Sequence, residues 1–122
     1  MVAYRQAMEI LRFDELRNAN NTVEFEGRDH GAANVSFFHG DAPPGRGPSL
    51  HKHEYAEVFI MLEGQATFRG PEGEVDVGAG SVVVVPAGEP HAFKGSGEGS
   101  RQVNIHASPR FVTEWLEEEG YG

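Results

Sequence analysis

Between about residue 22 and residue 107, short apolar or alternating segments are separated by turns rich in glycine and proline. The segments that read as strands are NVSFF, EVFIML, QATFR, EVDV, SVVVV, HAFK and RQVNIH. The turn signals between them are GDAPPGRGP, GPEG, GAG, PAGEP and GSGEG. A period of two indicates half-buried strands, and many short strands without helical patterns between them favour a β-sandwich or β-barrel. We therefore expect an all-β fold of mainly antiparallel strands.

Two segments of this pattern make more specific predictions. Residues 65–69 and 74–77 flank GPEG and form the clearest β-hairpin. The uninterrupted valine run of residues 82–85 is typical of a strand that is covered on both faces.

The two ends of the chain differ from the middle. Residues 1–21 form an N-terminal arm, in which residues 6–17 could be a strand with a helical turn, and the periodicity does not decide between structures. At the other end, Ser108 can cap a helix of about residues 108–119 whose first position is Pro109. The apolar stripe of this helix is Phe111, Val112, Trp115 and Leu116. We expect the helix to pack on the barrel, with binding to a partner as the alternative.

Composition narrows the classes of function. A chain of 122 residues, 39% of them hydrophobic, suits one domain over residues 1–122 with a barrel core of about residues 22–107. A net charge of −9 argues against binding to nucleic acid or an anionic membrane, because phosphates need clustered Lys and Arg. Neither a signal peptide nor a membrane-length apolar run is present, so we expect a cytoplasmic protein. Without cysteine, any metal must be bound by nitrogen and oxygen ligands.

The stretch HKHEYAE, residues 51–57, is the clearest sign of chemistry. In a strand, His51 and His53 project to the same face, and two imidazoles at that spacing can converge on one metal ion about 2.0–2.1 Å from each nitrogen. Glu57 follows the turn residues 54–56 and can close on the same point. Two histidines and a carboxylate form a minimal set for a divalent transition metal, with a fourth ligand left open. An HxH pair alone, however, is more often an exposed strand face.

The wider spacing resembles a known family. The first stretch, GRGPSLHKHEYAEVFIMLEG, and the second, GSVVVVPAGEPH, resemble the two sequence motifs of the cupin family, G(x)5HxH(x)3E(x)6G and G(x)5PxGxxH(x)3N. The last position of the second motif differs, because Gly95 stands in place of the usual Asn. The fifteen residues 65–79 between the motifs are similar to the short intermotif loop of small single-domain cupins. The matching positions are Gly45, His51, His53, Glu57, Gly64, Gly80, Pro86, Gly88 and His91.

The resemblance implies a small double-stranded β-helix, the jelly-roll barrel of cupins, in which His51, His53, Glu57 and His91 bind one metal. The Gly95 departure affects a turn or a hydrogen bond and not the ligand set. Three imidazoles and one carboxylate suit Fe(II), Mn(II), Ni(II), Co(II) or Zn(II), and an octahedral ion keeps two positions for water, dioxygen or substrate.

Strand parity predicts what surrounds the metal. Phe59 and Met61 share the face of Glu57, and Phe93 shares that of His91, so we expect an apolar substrate pocket, with simple core packing as the alternative. On the last strand, Asn104 and His106 alternate with apolar residues. If the polar set faces inward, these two supply hydrogen bonds and a catalytic base beside the metal. His39 is a weaker candidate of the same kind, and His30 is expected in a solvated loop.

These observations favour a metal-dependent, dioxygenase-like enzyme that acts on a small enolic, diketone or phenolic molecule. The alternatives are an oxygen-independent isomerase, cyclase or lyase that uses the same metal, and a non-catalytic module that binds a small ligand or metal. The resemblance to small cupins, which are commonly dimers that exchange N-terminal strands, also implies a homodimer.

Overall fold

A computed structural model describes residues 8–118 of the chain. The strands between Val23 and His106 are antiparallel to their partners. In chain order the elements are helix α1 (Phe13–Leu16), β1 (Val23–Glu26), a 3-10 turn (Gly27–Asp29), β2 (Ser36–Ala42), β3 (His51–Lys52), β4 (Glu57–Gly70), β5 (Gly73–Gly78), β6 (Val82–Val85), β7 (Ala92–His106) and β8 (Glu114–Trp115). No helix within residues 8–118 is long and apolar enough to cross a membrane. The expected all-β barrel of antiparallel strands is confirmed.

Two long strands, β4 and β7, organise the barrel. They pair along nearly their whole length, from Glu57 opposite His106 to Arg69 opposite Ala92, with irregularities near Gly64. The main sheet runs in the order β1-β2-β7-β4-β5, and β6 pairs with the first half of β4. The predicted hairpin is formed by the second half of β4 and β5. Both ends of β7 reach the histidine cluster, since His91 directly precedes the strand and His106 ends it, and both contact Glu57 at the start of β4.

The interior is packed with aromatic side chains. The ring of Phe59, which is fully buried, meets Phe68 and Phe93 edge to face at centroid distances of 5.0 and 5.2 Å. This arrangement suits the quadrupoles of aromatic rings and adds to the gain from burial. The buried core cluster consists of Ala42, Phe59, Met61, Ala66, Phe68, Val85 and Phe93.

The valine run forms strand β6, but the expectation that it is covered on both faces is wrong for the single chain. Val82 and Val84 are each 63% exposed, whereas Val85 is buried in the core. The outward valines lie opposite Ile60 and Val58 of β4, so the outer face of these two strands is apolar and partly open.

The predicted C-terminal helix is wrong over the residues that the structure describes. Residues 107–113 have no regular structure, and β8 pairs with β3 so that Trp115 lies opposite His51. We call residues 107–117 the C-terminal strap. Its main-chain groups bond to the barrel, as in the donation of the Leu116 N–H to the carbonyl of Leu50 at 3.0 Å. A helix would use those same groups internally, so tertiary hydrogen bonds decide against it. The predicted end of the helix, residue 119, lies outside the described residues.

The departure from the second motif has a steric cause. A Cβ atom at Gly95 would lie 2.2 Å from the carbonyl oxygen of Ala42 and 2.4 Å from that of Pro43. The N–H of Gly95 donates to the backbone carbonyl of Arg46 at 3.0 Å, which holds β7 against the loop that follows β2. No side chain fits at residue 95, so glycine is required by this close approach of backbones.

Candidate metal centre

Three local elements bring the predicted ligands together. His51 lies on β3, His53 in the turn that follows, and Glu57 at the first position of β4. His91 precedes β7 and forms an isolated β-bridge with His51. The backbone N–H of His51 donates to the carbonyl of His91 at 3.0 Å, and the N–H of His91 donates to the carbonyl of His51 at 2.8 Å. One ligand atom from each of the four residues lies within 4.8 Å of the others. All four side chains are buried, with exposed fractions between 2% and 6%.

The backbone fixes how the three imidazoles are presented. In each of His51, His53 and His91, Nδ1 lies within hydrogen-bonding distance of a main-chain carbonyl oxygen. Because a carbonyl only accepts, Nδ1 carries the proton, and in the neutral ring the lone pair is on Nε2. The carbonyl partners are, in the same order, Ser49 (2.6 Å), Val112 (2.8 Å) and Glu89 (2.9 Å).

The Nε2 atoms converge on the carboxylate. Oε1 of Glu57 lies 3.0 Å from Nε2 of His53 and 3.0 Å from Nε2 of His91. Nε2 of His53 is buried and makes no hydrogen bond. Two imidazole lone pairs that face a carboxylate oxygen repel one another unless a cation lies among them. The chemistry of the site therefore fits a bound metal ion.

Charge states at neutral pH agree with this fit. Burial lowers the pKa of His51 to about 4, so its ring is neutral and its lone pair is free to bind a metal. Burial by itself would raise the pKa of Glu57, but hydrogen bonding, first of all from His106, outweighs it and holds the pKa well below its usual range. The site thus offers the neutral imidazole of His51 and one anionic oxygen of Glu57.

The donor set limits the class of metal. Two ligand atoms that are each about 2.1 Å from one ion lie at most about 4.2 Å apart, so a small closing movement from the observed separations is enough. Three imidazoles and a carboxylate without thiolates suit Mn(II), Fe(II), Co(II), Ni(II) or Zn(II).

His106 and Asn104 share one face of β7, as its alternation predicts, and the structure places that face inside the barrel. His106 lies opposite Glu57, and its Nε2 is 3.2 Å from Oε2 of that carboxylate. Asn104 lies opposite Phe59, and its Oδ1 is buried with no hydrogen-bond partner. A direct catalytic role for either residue stays a prediction.

The predicted pocket residues are part of the core. Phe59, Met61 and Phe93 are at most 7% exposed and pack in the core cluster. Contact of these side chains with a substrate stays a prediction.

The two remaining histidines of the prediction lie away from the site. His39 is on the outer face of β2, opposite Val103, where its ring stacks on Phe13 at 5.1 Å, so it is not a base beside the metal. His30 does not lie in a freely solvated loop, since it stacks on Phe25 at 4.9 Å and bonds to Glu9 at 2.8 Å.

The sequence prediction missed the groups that surround the ligands. The ring of Tyr55 stacks on His53 at 5.0 Å, and its hydroxyl lies 2.7 Å from Nδ1 of His106. Trp115 of the strap lies 5.1 Å from the ring of His51. Tyr55 stands inside HKHEYAE, so its position was a signal, but nothing in the sequence pattern places the strap over the site.

Comparison with known proteins identifies what this arrangement is similar to. The family described as Cupin domain matches residues 38–103, which include all four predicted ligands. Auxin-binding protein 1 of Arabidopsis thaliana is 29% identical over 85 residues, a match that covers 62% of this chain and 43% of that protein.

Solved structures agree with the sequence match. The formate complex of oxalate decarboxylase from Lactobacillus farciminis superposes with a TM-score of 0.68 at 27% identity, over 78% of this chain and 31% of that chain. A structure of oxalate decarboxylase from Bacillus subtilis, studied for its Mn(II) centres, gives a TM-score of 0.67 at 26% identity, over 78% and 28% of the two chains. The chain therefore spans less than half the length of each of these relatives.

Proposed function

The chain belongs to the cupin family, and on that premise we propose that it binds one divalent transition metal through His51, His53, Glu57 and His91 and acts on a small organic molecule there. The observation that carries the proposal is the convergence of imidazole lone pairs on one carboxylate oxygen, at 3.0 Å from two of them. Such an arrangement is unfavourable without a cation and favourable with one. The Mn(II) centres of the Bacillus subtilis relative support Mn(II) as the first ion to test.

The chain's own residues supply orientation and a dry environment. A metal bound at such a site supplies a Lewis acid that polarises a substrate oxygen and can hold dioxygen beside it. The carbonyls of Ser49, Val112 and Glu89 orient the imidazoles. Phe59, buried beside His91 at 6.3 Å between ring centroids, excludes water from the inner side.

The charge of the interior limits the substrate. Among the buried residues of the described chain the polar set contains no lysine or arginine. A dianion in such an interior would have only the metal to offset its charge, which makes its burial costly. We therefore propose a neutral or singly charged substrate, such as an enol, a diketone or a phenol, and a dioxygenase-like reaction.

A second candidate reaction is supported by the relatives. Oxalate decarboxylases are among the structures that the fold matches at 26–27% identity. We keep an oxygen-independent lyase, isomerase or cyclase reaction at the same metal as the alternative. Absence of buried basic residues from the described chain speaks against oxalate itself as the substrate.

The proposal is tested in two steps. Metal content is measured on protein purified without an affinity tag, for the wild type, for His91→Ala and for the control His30→Ala, whose ring lies away from the site. About one equivalent that disappears only in His91→Ala supports the site, and absence of metal from the reconstituted wild type overturns it.

Reaction class is then decided by assays with enolic, diketone and phenolic substrates in air and under argon. Oxygen consumption that depends on metal supports the dioxygenase-like reaction. Turnover that persists under argon supports the alternative, and metal binding without turnover in either atmosphere supports a non-catalytic binding module.

We also propose that the chain forms a homodimer. The open outer face of β4 and β6, with Val82 and Val84 each 63% exposed, supports association, because contiguous apolar patches usually mark interaction surfaces. A monomer mass in light scattering at micromolar concentration would remove this proposal.

A further inference from the structure

We propose that His106 and Tyr55 are positioning residues that hold Glu57 so that only its Oε1 is presented to the metal. This inference rests on the proposed metal site and deepens it. It replaces the expectation that His106 is a proton-transfer base, and it gives a role to Tyr55, which no motif position assigns.

The direction of the first hydrogen bond follows from the tyrosine. The hydroxyl of Tyr55 accepts the main-chain N–H of Val112 at 3.1 Å, and it lies 2.7 Å from Nδ1 of His106. A phenol hydroxyl keeps its proton at neutral pH. Of these two neighbours only Nδ1 of His106 can accept, because the N–H of Val112 is a donor, so the hydroxyl donates its one proton to Nδ1 of His106.

The second contact requires the same tautomer. Nε2 of His106 lies 3.2 Å from Oε2 of Glu57, and a carboxylate only accepts. Attraction at this distance therefore needs the proton on Nε2, which is what an accepting Nδ1 leaves in a neutral ring. Two independent neighbours thus select the Nε2–H tautomer of His106.

Packing keeps the ring in this orientation. The rings of Phe38 and Phe111 meet His106 edge to face at centroid distances of 5.8 and 4.8 Å. The imidazole is 4% exposed, and both of its nitrogens are engaged. It has no free lone pair with which to take a proton from a substrate.

The consequence concerns the two oxygens of Glu57. Oε2 is held by His106, whereas Oε1 is the atom that lies 3.0 Å from Nε2 of both His53 and His91. The carboxylate therefore binds the metal through one oxygen, which leaves more of the coordination sphere open to a substrate. Because Val112 also accepts from Nδ1 of His53, the strap supports a ligand directly and Glu57 through Tyr55.

The first test uses the metal-free protein. Nitrogen NMR of the imidazole rings should show His106 as a neutral ring protonated at Nε2, and Tyr55→Phe should shift this tautomer balance. A ring protonated at Nδ1, or protonated at both nitrogens at neutral pH, would overturn the inference. This result does not depend on metal binding.

The second test is a titration with Co(II) followed by visible absorption. His106→Leu, which removes the donor, should weaken Co(II) binding by about 10–100-fold, the usual effect of losing a partner of a metal ligand. His106→Gln keeps an N–H near the position of Nε2 and should recover most of this loss, and a change in the Co(II) spectrum should accompany His106→Leu only.

The outcomes separate the inference from the proposed function. Equal Co(II) affinity and equal spectra in the wild type and His106→Leu overturn the positioning role while leaving the metal site intact. A wild type that binds no Co(II) overturns the metal site, and the NMR result then still decides the tautomer. If His106→Leu does not fold, Tyr55→Phe provides the same comparison with a smaller change in shape.

Discussion

Replacing Glu57 by glutamine tests the central physical argument, because it removes the charge of the site and almost nothing of its volume. The amide nitrogen of glutamine carries two N–H donors and can face the two imidazole lone pairs that now lie 3.0 Å from Oε1. The remaining amide oxygen can still accept from His106, whose Nε2 lies 3.2 Å from Oε2. The metal-free variant should therefore melt at or above the temperature of the metal-free wild type, since each of the two imidazole lone pairs then faces an N–H donor.

The gain in melting temperature on metal binding, by contrast, should be smaller in Glu57→Gln than in the wild type. A ligand present at 100 times its Kd stabilises a folded protein by about 2.7 kcal/mol. For a chain of this size about 1 kcal/mol shifts the melting temperature by about 4 °C, so the wild type should gain about 10 °C. If loss of the anionic ligand weakens binding at least about 100-fold, the same metal concentration is near Kd, and the gain falls to about 0.4 kcal/mol or about 2 °C.

The assay is differential scanning calorimetry with and without Mn(II), on the wild type, on Glu57→Gln and on His30→Gln as the matched control. His30 lies outside the site, stacked on Phe25, and its variant should keep the full metal response. A metal-free Glu57→Gln protein that melts well below the wild type would show that protonated imidazoles, and not lone pairs, face Glu57. An equal gain in melting temperature with Mn(II) in the wild type and in Glu57→Gln would show that Glu57 is not a ligand.

Three further predictions concern the packing and protonation of the barrel. Phe59→Ala should lower the free energy of unfolding by about 3–5 kcal/mol in denaturant titrations. Ile60→Ala, at the next position and on the outer face, should lower it by under about 1 kcal/mol. Equal losses of free energy in the two variants would contradict the assigned strand parity. Gly95→Asn restores the residue usual in the motif and should lower the melting temperature, because its Cβ would lie 2.2 Å from a neighbouring backbone oxygen. The control is Gly78→Ala, whose Cβ would meet nothing within 4 Å. An unchanged melting temperature in Gly95→Asn would refute the steric account. The difference between the ultraviolet titration curves of the wild type and Tyr55→Phe should place the ionisation of Tyr55 at about pH 12. The stability from its buried neutral hydroxyl is then present below pH 10 and is lost as the pH rises from 10 to 12. Ionisation near pH 10 would show that the hydroxyl is solvated.

Three of the four ligands could be predicted from local spacing, whereas His91 was expected from the resemblance to the cupin motifs. His51 lies on β3 and His53 two residues later in the turn that follows, and residues 54–56 return Glu57 to the same end of the barrel. The alternation of β7 predicted that Asn104 and His106 share one face, and the structure places that face inside the barrel. The direction of these β7 side chains follows from the period of two of a strand.

The valine run shows where local rules stop. A continuous apolar strand is compatible with cover on both faces, but the pattern does not say whether the cover comes from the same chain. Here Val85 packs inward and Val84 stays open, so half of that cover is missing within the chain. The information needed to predict this is the strand order, which places β6 on β4 with no layer outside it in the described structure.

The strap was unpredictable for a deeper reason. Its contributions to the site, the Val112 carbonyl for His53 and the Val112 N–H for Tyr55, come from the main chain, which every residue except proline provides in full. The carbonyl partners of His51 and His91 are main-chain groups as well. No side-chain pattern can encode which backbone group accepts from an imidazole, and the apolar spacing of the strap fits a helix until the barrel offers its backbone better partners. The sequence thus specifies which atoms can bind the metal, while the orientation of His53, and that of Glu57 through Tyr55 and His106, also needs the fold that brings the strap across them.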